Sequence, residues 1–233
     1  MLETIRQYAR DRLVEAGEEE RCRRLHLEYC LRFARRAERE LLGPRQRAWL
    51  DRVEANFDNL RAALEFARQQ DPEAGLELAG CLPRFLQVRR HASEGREIYS
   101  ALLAAHRDRT PGAPGHAVLK SLQGAGQLAH LQHDSAAAIR YLTEAATLAE
   151  QLGDVEARIR ALCQLGYPQH ESGDVEGAAA SWEEGYRLAM RSNDRWHRAL
   201  ALRARALHRE LQGQDEATIT ALEECLALFR EVG

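Results

Sequence analysis

The most informative stretch of the chain is GDVEARIRALCQLGYPQHESGDVEGAAASWEEGYRLAMRSND, residues 153–194. It opens on Gly153-Asp154, carries a second Gly-Asp pair at 173–174 and closes on Asn193-Asp194. A glycine followed by aspartate is typical of a helix stop followed by the N-cap of the next helix. Between these pairs, apolar residues recur at the three- and four-residue spacing of an amphipathic helix. The stretch therefore predicts two helices, over 155–171 and 175–191.

The same pattern repeats with a step of forty residues through the second half of the chain. One series of turns is His133-Asp134, Gly173-Asp174 and Gly213-Gln214. Apolar and small positions recur at the same step in four columns: Leu122, Leu162, Leu202; Leu142, Trp182, Leu222; Leu148, Leu188, Leu228; and Gly126, Gly166, Ala206. Such self-similarity is the signature of a repeat array, whose hairpins bury their apolar faces only by stacking. The sequence predicts an all-α, right-handed α-α superhelical solenoid of helical hairpins.

Upstream of residue 115 the pattern is looser. Segments 76–88 and 93–106 predict another hairpin, followed by a loop at Thr110-Pro111-Gly112-Ala113-Pro114-Gly115. Before it, single helices are predicted over 2–16, 18–41 and 46–70. We divide the chain into a helical linker region, 1–71, and repeats at 72–110, 115–154, 155–194 and 195–233.

Composition excludes several classes of function. Of the 233 residues, 45% are hydrophobic and 30% charged, and the formal net charge is −3. Without a basic excess, direct nucleic-acid binding is not expected. The five cysteines form no C-x-x-C pair and are interpreted as small buried hydrophobes in a reducing, cytoplasmic setting. No apolar run approaches the length of a membrane helix. Neither a cofactor nor a catalytic constellation is indicated, so the chain is not predicted to be an enzyme.

The small and large positions of the 153–194 unit resemble the tetratricopeptide repeat. They are Leu165-Gly166, Gly173, Ala178, Trp182 and Gly185. The usual tetratricopeptide step is about 34 residues. A step of forty is similar to the longer variant found in large bacterial transcriptional regulators, which supports the solenoid prediction.

Three upstream stretches make the resemblance more specific. They are Leu2-Glu3-Thr4-Ile5-Arg6-Gln7-Tyr8-Ala9, Trp49-Leu50-Asp51-Arg52-Val53-Glu54 with 59–64, and Ser93-Glu94-Gly95-Arg96. They resemble stretches of bacterial STAND-type ATPases. In that family an ATPase module and a winged helix precede a helical linker and tetratricopeptide repeats. Many members also carry a DNA-binding domain of the LuxR type or the antibiotic-regulator type.

One departure from that family concerns the nucleotide site. A phosphate-binding loop requires Gly-x-x-x-x-Gly-Lys-Ser/Thr, whereas Leu119 precedes the sole lysine, Lys120. We therefore expect the chain to be a C-terminal fragment of such a regulator, contacting an ATPase module that it does not contain.

The tetratricopeptide resemblance implies that the first helix of each hairpin lines a concave groove. The predicted groove residues are Lys120, Gln123, Gln127, His130, Arg160, Tyr167, His170 and Arg203. Arginine side chains and a tyrosine ring suit a peptide, especially an acidic one. The alternative is that these side chains form only the solvated face of a helix.

Three other features have competing explanations. His130, His133 and His170 could share a metal ion, but His133 occupies a turn, so no metal site is predicted. Pro168 is expected to kink or open its helix. A basic patch at residues 84–96, with Arg89 and Arg96, is expected to face an acidic surface of another domain rather than DNA.

The sequence thus predicts a non-catalytic sensor or regulatory arm of a STAND-type ATPase transcriptional regulator. Its ligand would be a protein or peptide partner, or a small effector. The alternatives are a free-standing scaffold for protein assembly and a homo-oligomerisation arm.

Overall fold

The computed structural model describes residues 3–110 and 115–232, and the chain forms thirteen helices within them. They are α1 (Glu3–Glu15), α2 (Glu19–Glu40), α3 (Gln46–Ala55), α4 (Phe57–Gln70), α5 (Pro72–Gly80), α6 (Pro83–Val88), α7 (Ala92–Arg109), α8 (His116–Leu131), α9 (Ser135–Leu152), α10 (Val155–Glu171), α11 (Val175–Arg191), α12 (Arg195–Leu211) and α13 (Asp215–Val232). No strand occurs in these ranges, and the predicted all-α solenoid is confirmed. Most of the predicted loop, 111–114, lies outside the described residues.

Aspartates begin four consecutive helices of the array. Each carboxylate accepts a hydrogen bond from the backbone N–H three residues on, at 2.8–3.1 Å; they are Asp134, Asp154, Asp174 and Asp194. The residue before three of these caps has a positive φ: His133 (59°), Gly153 (68°) and Gly173 (89°). The predicted pairing of a helix stop with an N-cap is confirmed at these turns.

Hairpins stack at the repeat step. Side-chain contacts join residues about one step apart, as Arg96 does with Asp134 (2.5 Å) and Arg107 with Glu144 (2.6 Å). These partners are 38 and 37 positions apart along the chain. The forty-residue period of the sequence is therefore the distance, in residues, from one hairpin to the next.

Close packing inside a hairpin depends on glycine facing a large side chain. A Cβ on Gly166 would lie 2.3 Å from Trp182 Nε1, and one on Gly126 would lie 2.6 Å from Leu142. Trp182 is 1% exposed and donates its indole N–H to the carbonyl of Cys163 at 3.2 Å. The two helices of these hairpins approach to a distance that only glycine permits.

Residues 27–70 belong to the same packed body as the repeats. One cluster of buried side chains runs without a break from Leu27 on α2 to Ala161 on α10. Helix α2 packs against both α4 and α5. The core therefore crosses residue 71, where the linker region was divided from the repeats, although that division itself stays a prediction.

Two predicted single helices are wrong because each is broken in two. Segment 46–70 divides at Asn56, whose φ of −109° and ψ of 6° are not helical. Its side-chain amide donates to the Arg52 carbonyl at 2.8 Å and so competes with the backbone for that acceptor. Segment 76–88 divides between Gly80 and Pro83, and Pro83 takes the first position of α6, where its missing N–H costs no helical hydrogen bond.

Helix α10 does not open at Pro168, which was one of the two outcomes expected there. The helix runs unbroken over Val155–Glu171 with Pro168 buried inside it. The Pro168 carbonyl still accepts from Ser172 N–H at 3.0 Å, since proline loses only its donor.

Four of the five cysteines are buried, namely Cys30, Cys81, Cys163 and Cys225, and all five are free thiols. Burial raises the pKa of Cys163 to about 12. These four thiols pack as small hydrophobic side chains, as predicted. Within the described ranges, none of the helices combines the length and apolar character needed to cross a bilayer.

Candidate binding groove

A cavity of about 530 Å³ lies along the first helices of successive hairpins. Its lining is a mixture of amides, apolar side chains and three ionisable groups besides a tyrosine: Gln87, Gln127, His130, Leu131, Leu142, Gln164, Tyr167, Arg203, Leu207, Glu210 and Leu222. These residues come from α6, α8, α9, α10, α12 and α13. The cavity is therefore built by several hairpins together, and none of them forms it alone.

One repeat position supplies the floor of this groove. Gln87, Gln127, Tyr167 and Leu207 are spaced forty residues apart and come from α6, α8, α10 and α12. Gln127 Nε2 donates to Gln87 Oε1 at 3.1 Å, which links two neighbouring hairpins along the groove. Each of these four hairpins therefore places the side chain at this repeat position against the cavity.

The groove has a polar centre around Tyr167. Burial raises the pKa of Tyr167, and the nearby Arg203 guanidinium opposes that rise. The His130 ring lies 6.0 Å from the Tyr167 ring, and its Nδ1 is 3.4 Å from a carboxylate oxygen of Glu171. Arg203 remains exposed to solvent, so a cation, an imidazole and a phenol face the same space.

Four of the eight predicted groove residues line this cavity: Gln127, His130, Tyr167 and Arg203. The other four lie outside it and contact other parts of the chain. Lys120 pairs with Glu38 on α2 at 2.6 Å. Buried Gln123 donates to the Ala157 carbonyl at 2.7 Å.

The remaining two of those four, Arg160 and His170, also contact side chains of other helices. Arg160 Nη1 is 2.8 Å from His197 Nε2, which ties α10 to α12. The His170 ring is 6.3 Å from the ring of Trp182. Arg160 therefore has a partner inside the fold, and Arg203 is the groove arginine that faces solvent.

Sequence reasoning missed several lining residues. Gln87 and Leu207 could have been found by extending the column of Gln127 and Tyr167 by one repeat in each direction. Glu210 falls in the column of His130 and His170, and Leu222 falls in that of Leu142. Gln164 and Leu131 have no such signal, because neighbouring positions of the same helix face the core. Their exposure depends on how the helices are rotated against one another.

A cluster of possible metal ligands lies away from the groove. Among the described residues, Glu156, Asp194 and His197 bring ligand atoms within 4.8 Å of one another. Arg160 contacts His197 Nε2, so this nitrogen accepts and the proton sits on Nδ1, 3.1 Å from Asp194. A metal at Nδ1 would require a proton on Nε2, facing the arginine donor. The cluster is better described as a charge network joining α10 to the start of α12.

The basic patch predicted near residues 84–96 is largely paired within the chain. Arg89 contacts Asp51, and Arg96 binds Asp134 at 2.5 Å. His91 Nε2 lies 3.2 Å from Glu54. These side chains connect neighbouring hairpins, so they offer less free positive charge than the sequence alone suggests.

The fold and groove define a solenoid of tetratricopeptide-like repeats. No family model matches the chain, and no curated protein matches its sequence. Among solved structures it is similar to BtubC (BKLC) from P. vanneervenii, with a TM-score of 0.64 and 13% identity over 90% of this chain and 92% of that one.

It is also similar to a putative kinesin light chain of Podosopora anserina with nearly identical TPR-like repeats. The TM-score is 0.61, with 15% identity over 88% of this chain and 96% of the other. A substituted form of that protein gives a TM-score of 0.64 with 14% identity, over 89% and 97% of the two chains. At these identities the similarity establishes the fold alone.

Proposed function

We propose that this chain is a non-catalytic binding region whose concave groove holds an extended segment of a partner protein. The observation that carries the proposal is the cavity itself, which is lined by equivalent positions of four successive hairpins. A surface built by stacked repeats is long and narrow, which matches an extended peptide better than a compact ligand.

The chemistry of the lining supports a peptide. Amides such as Gln87, Gln127 and Gln164 can both donate to and accept from a peptide backbone. Exposed Arg203 can form charge-assisted hydrogen bonds with an acidic side chain, and Tyr167 offers a ring face beside it. The lining therefore combines hydrogen-bonding, charged and apolar side chains of the kinds that recognise a peptide.

A peptide-display screen on the immobilised chain, followed by fluorescence anisotropy of the selected peptides, tests this proposal. Arg203→Glu should weaken binding by roughly 10- to 100-fold, the equivalent of one lost charge-assisted interaction of about 1.5–3 kcal/mol. Arg191→Glu makes the same charge change at an exposed position outside the cavity lining and should leave affinity unchanged. Equal affinity of both variants and the wild type would refute a role for the groove.

The finer proposal is that this binding region is the sensor or regulatory arm of a STAND-type ATPase transcriptional regulator. Support comes from the sequence resemblance at 2–9, 49–64 and 93–96. Partner binding in the groove would then change how the arm contacts the ATPase module. In a polypeptide that carries both parts, a groove-binding peptide should change the rate of ATP hydrolysis, and Arg203→Glu should remove that response. An unchanged rate at saturating peptide would instead favour a scaffold.

A further inference from the structure

Helix α13 carries an exposed stripe made of five residues. They are Asp215, Ile219, Leu222, Leu226 and Arg230, spaced three or four positions apart, so they lie along one face of the helix. The three apolar members are 57%, 44% and 49% exposed, in chain order. An acidic residue thus stands at one end of an apolar row and a basic residue at the other.

At the position equivalent to Leu222, the two preceding hairpins bury a large apolar side chain. Leu142 and Trp182, two repeats and one repeat before Leu222, are 0% and 1% exposed. Trp182 contacts His208 of the following hairpin, with ring centroids 5.7 Å apart. Leu222 thus stands at a position that earlier hairpins bury, and the α13 stripe leaves large apolar side chains in water.

The charged residues at the two ends of the stripe indicate which partner would be complementary to it. Asp215 and Arg230 have no ion-pair partner within residues 3–110 and 115–232, and they lie about 22 Å apart along the helix. An identical helix running antiparallel brings Asp215 of each copy opposite Arg230 of the other. The same arrangement sets Ile219 opposite Leu226, and the two helix dipoles run in opposite directions.

We propose that the α13 stripe is a homodimer interface, in which two copies of the chain pair antiparallel about a two-fold axis passing between residues 222 and 223. The stripe is self-complementary in this orientation, as an isologous interface requires. In a parallel pair, Asp215 would face Asp215 and Arg230 would face Arg230. The ion pairs therefore specify the orientation, and the apolar row supplies the buried surface.

Light scattering coupled to size-exclusion chromatography, from about 1 µM to about 100 µM, tests whether the dimer forms, since small interfaces dissociate in this range. The measured mass should rise from 26.4 kDa towards twice that value. Leu222→Glu combined with Leu226→Glu should keep the chain monomeric throughout. Val175→Glu, a control at another exposed apolar position, should dimerise like the wild type. A monomeric wild type at the highest concentration, or a dimer that persists in the double variant, overturns the proposal.

A charge exchange tests the antiparallel orientation. Asp215→Arg alone and Arg230→Asp alone each place like charges together at both ends, so each variant should be monomeric. An equimolar mixture of the two restores opposite charges at both ends and should dimerise again. Glu224→Arg, on another face of α13, should dimerise normally.

Far-UV circular dichroism of each variant checks that α13 stays helical. If both single variants are folded monomers and their mixture stays monomeric, the proposed arrangement is wrong. A dimer that forms in the mixture but in neither single variant supports the antiparallel arrangement. A folding defect in either variant would persist in the mixture and could not restore the dimer.

Discussion

Replacing Gly166 with alanine should destabilise the protein, although the same change in an ordinary helix is stabilising. The new Cβ would lie 2.3 Å from Trp182 Nε1 and 2.4 Å from Cε2, so the indole must move. Overpacking of this kind costs about 1–3 kcal/mol. Displacement of the indole also threatens its hydrogen bond to the Cys163 carbonyl, and a buried unpaired group costs about 1–3 kcal/mol. The gain in helix propensity is about 0.5–1 kcal/mol.

The net loss should be about 2–4 kcal/mol in the free energy of unfolding, from these overpacking and hydrogen-bond costs. For a chain of this size that corresponds to a fall in Tm of roughly 5–15 °C. Urea denaturation and thermal melting, both followed by far-UV circular dichroism, measure these quantities. Gly185→Ala is a graded control, because its Cβ would meet Cys163 Sγ at 3.1 Å, a milder approach. It should cost less than Gly166→Ala.

A second substitution tests whether the Trp182 contact is the cause. In the third unit the same two columns hold Ala206 and Leu222. Gly166→Ala combined with Trp182→Leu copies that pair, so it should be no less stable than Trp182→Leu alone. The coupling in the double-mutant cycle should reach about 1–3 kcal/mol. A neutral or stabilising Gly166→Ala, or strictly additive effects, would refute the packing argument.

Three single residues give further predictions. His133 holds a left-handed φ of 59°, which glycine adopts more easily. His133→Gly should therefore raise the free energy of unfolding by about 0.5–1 kcal/mol, measured by urea denaturation. A lower free energy of unfolding would show instead that the imidazole stabilises the turn. Burial and Arg160 lower the pKa of His197, so its contribution to stability is present above about pH 6.5 and is lost as the pH falls below that value. The Tm of His197→Gln should therefore fall less than that of the wild type between about pH 7.5 and about pH 5.5, and parallel falls would contradict this. Cys22 is the one cysteine that is not buried. A thiol reagent should label it rapidly in the native protein and should label the other four only after denaturation. Rapid labelling of all five in the native protein would contradict the burial pattern.

Much of the fold could be predicted because its signals are local and repeated. The Gly-Asp pairs report helix ends directly, since glycine adopts the left-handed geometry and aspartate caps the following helix. The helices over 155–171 and 175–191 have the predicted bounds. The breaks at Asn56 and before Pro83 were missed, because an apolar periodicity that continues through a break hides it.

The groove was predicted only in part, for a geometric reason. A column of equivalent residues identifies which helix faces the cavity, and Gln127, His130, Tyr167 and Arg203 followed from that. It does not identify the rotation of each helix about its axis. That rotation turns Gln123 towards the Ala157 carbonyl and brings Gln164 to the cavity.

Sequence alone was enough for the all-α class, the forty-residue repeat and the small-to-large packing column, because each depends on residues close together in the chain. Which polar side chains are free to bind depends instead on the stacking of the hairpins. Lys120 and Arg160 look like groove cations in the sequence, yet each contacts a partner on another helix, Glu38 and His197 respectively. Whether such a charge has a partner depends on residues that are distant in the sequence and come close only when the hairpins stack. A local sequence pattern does not report those contacts.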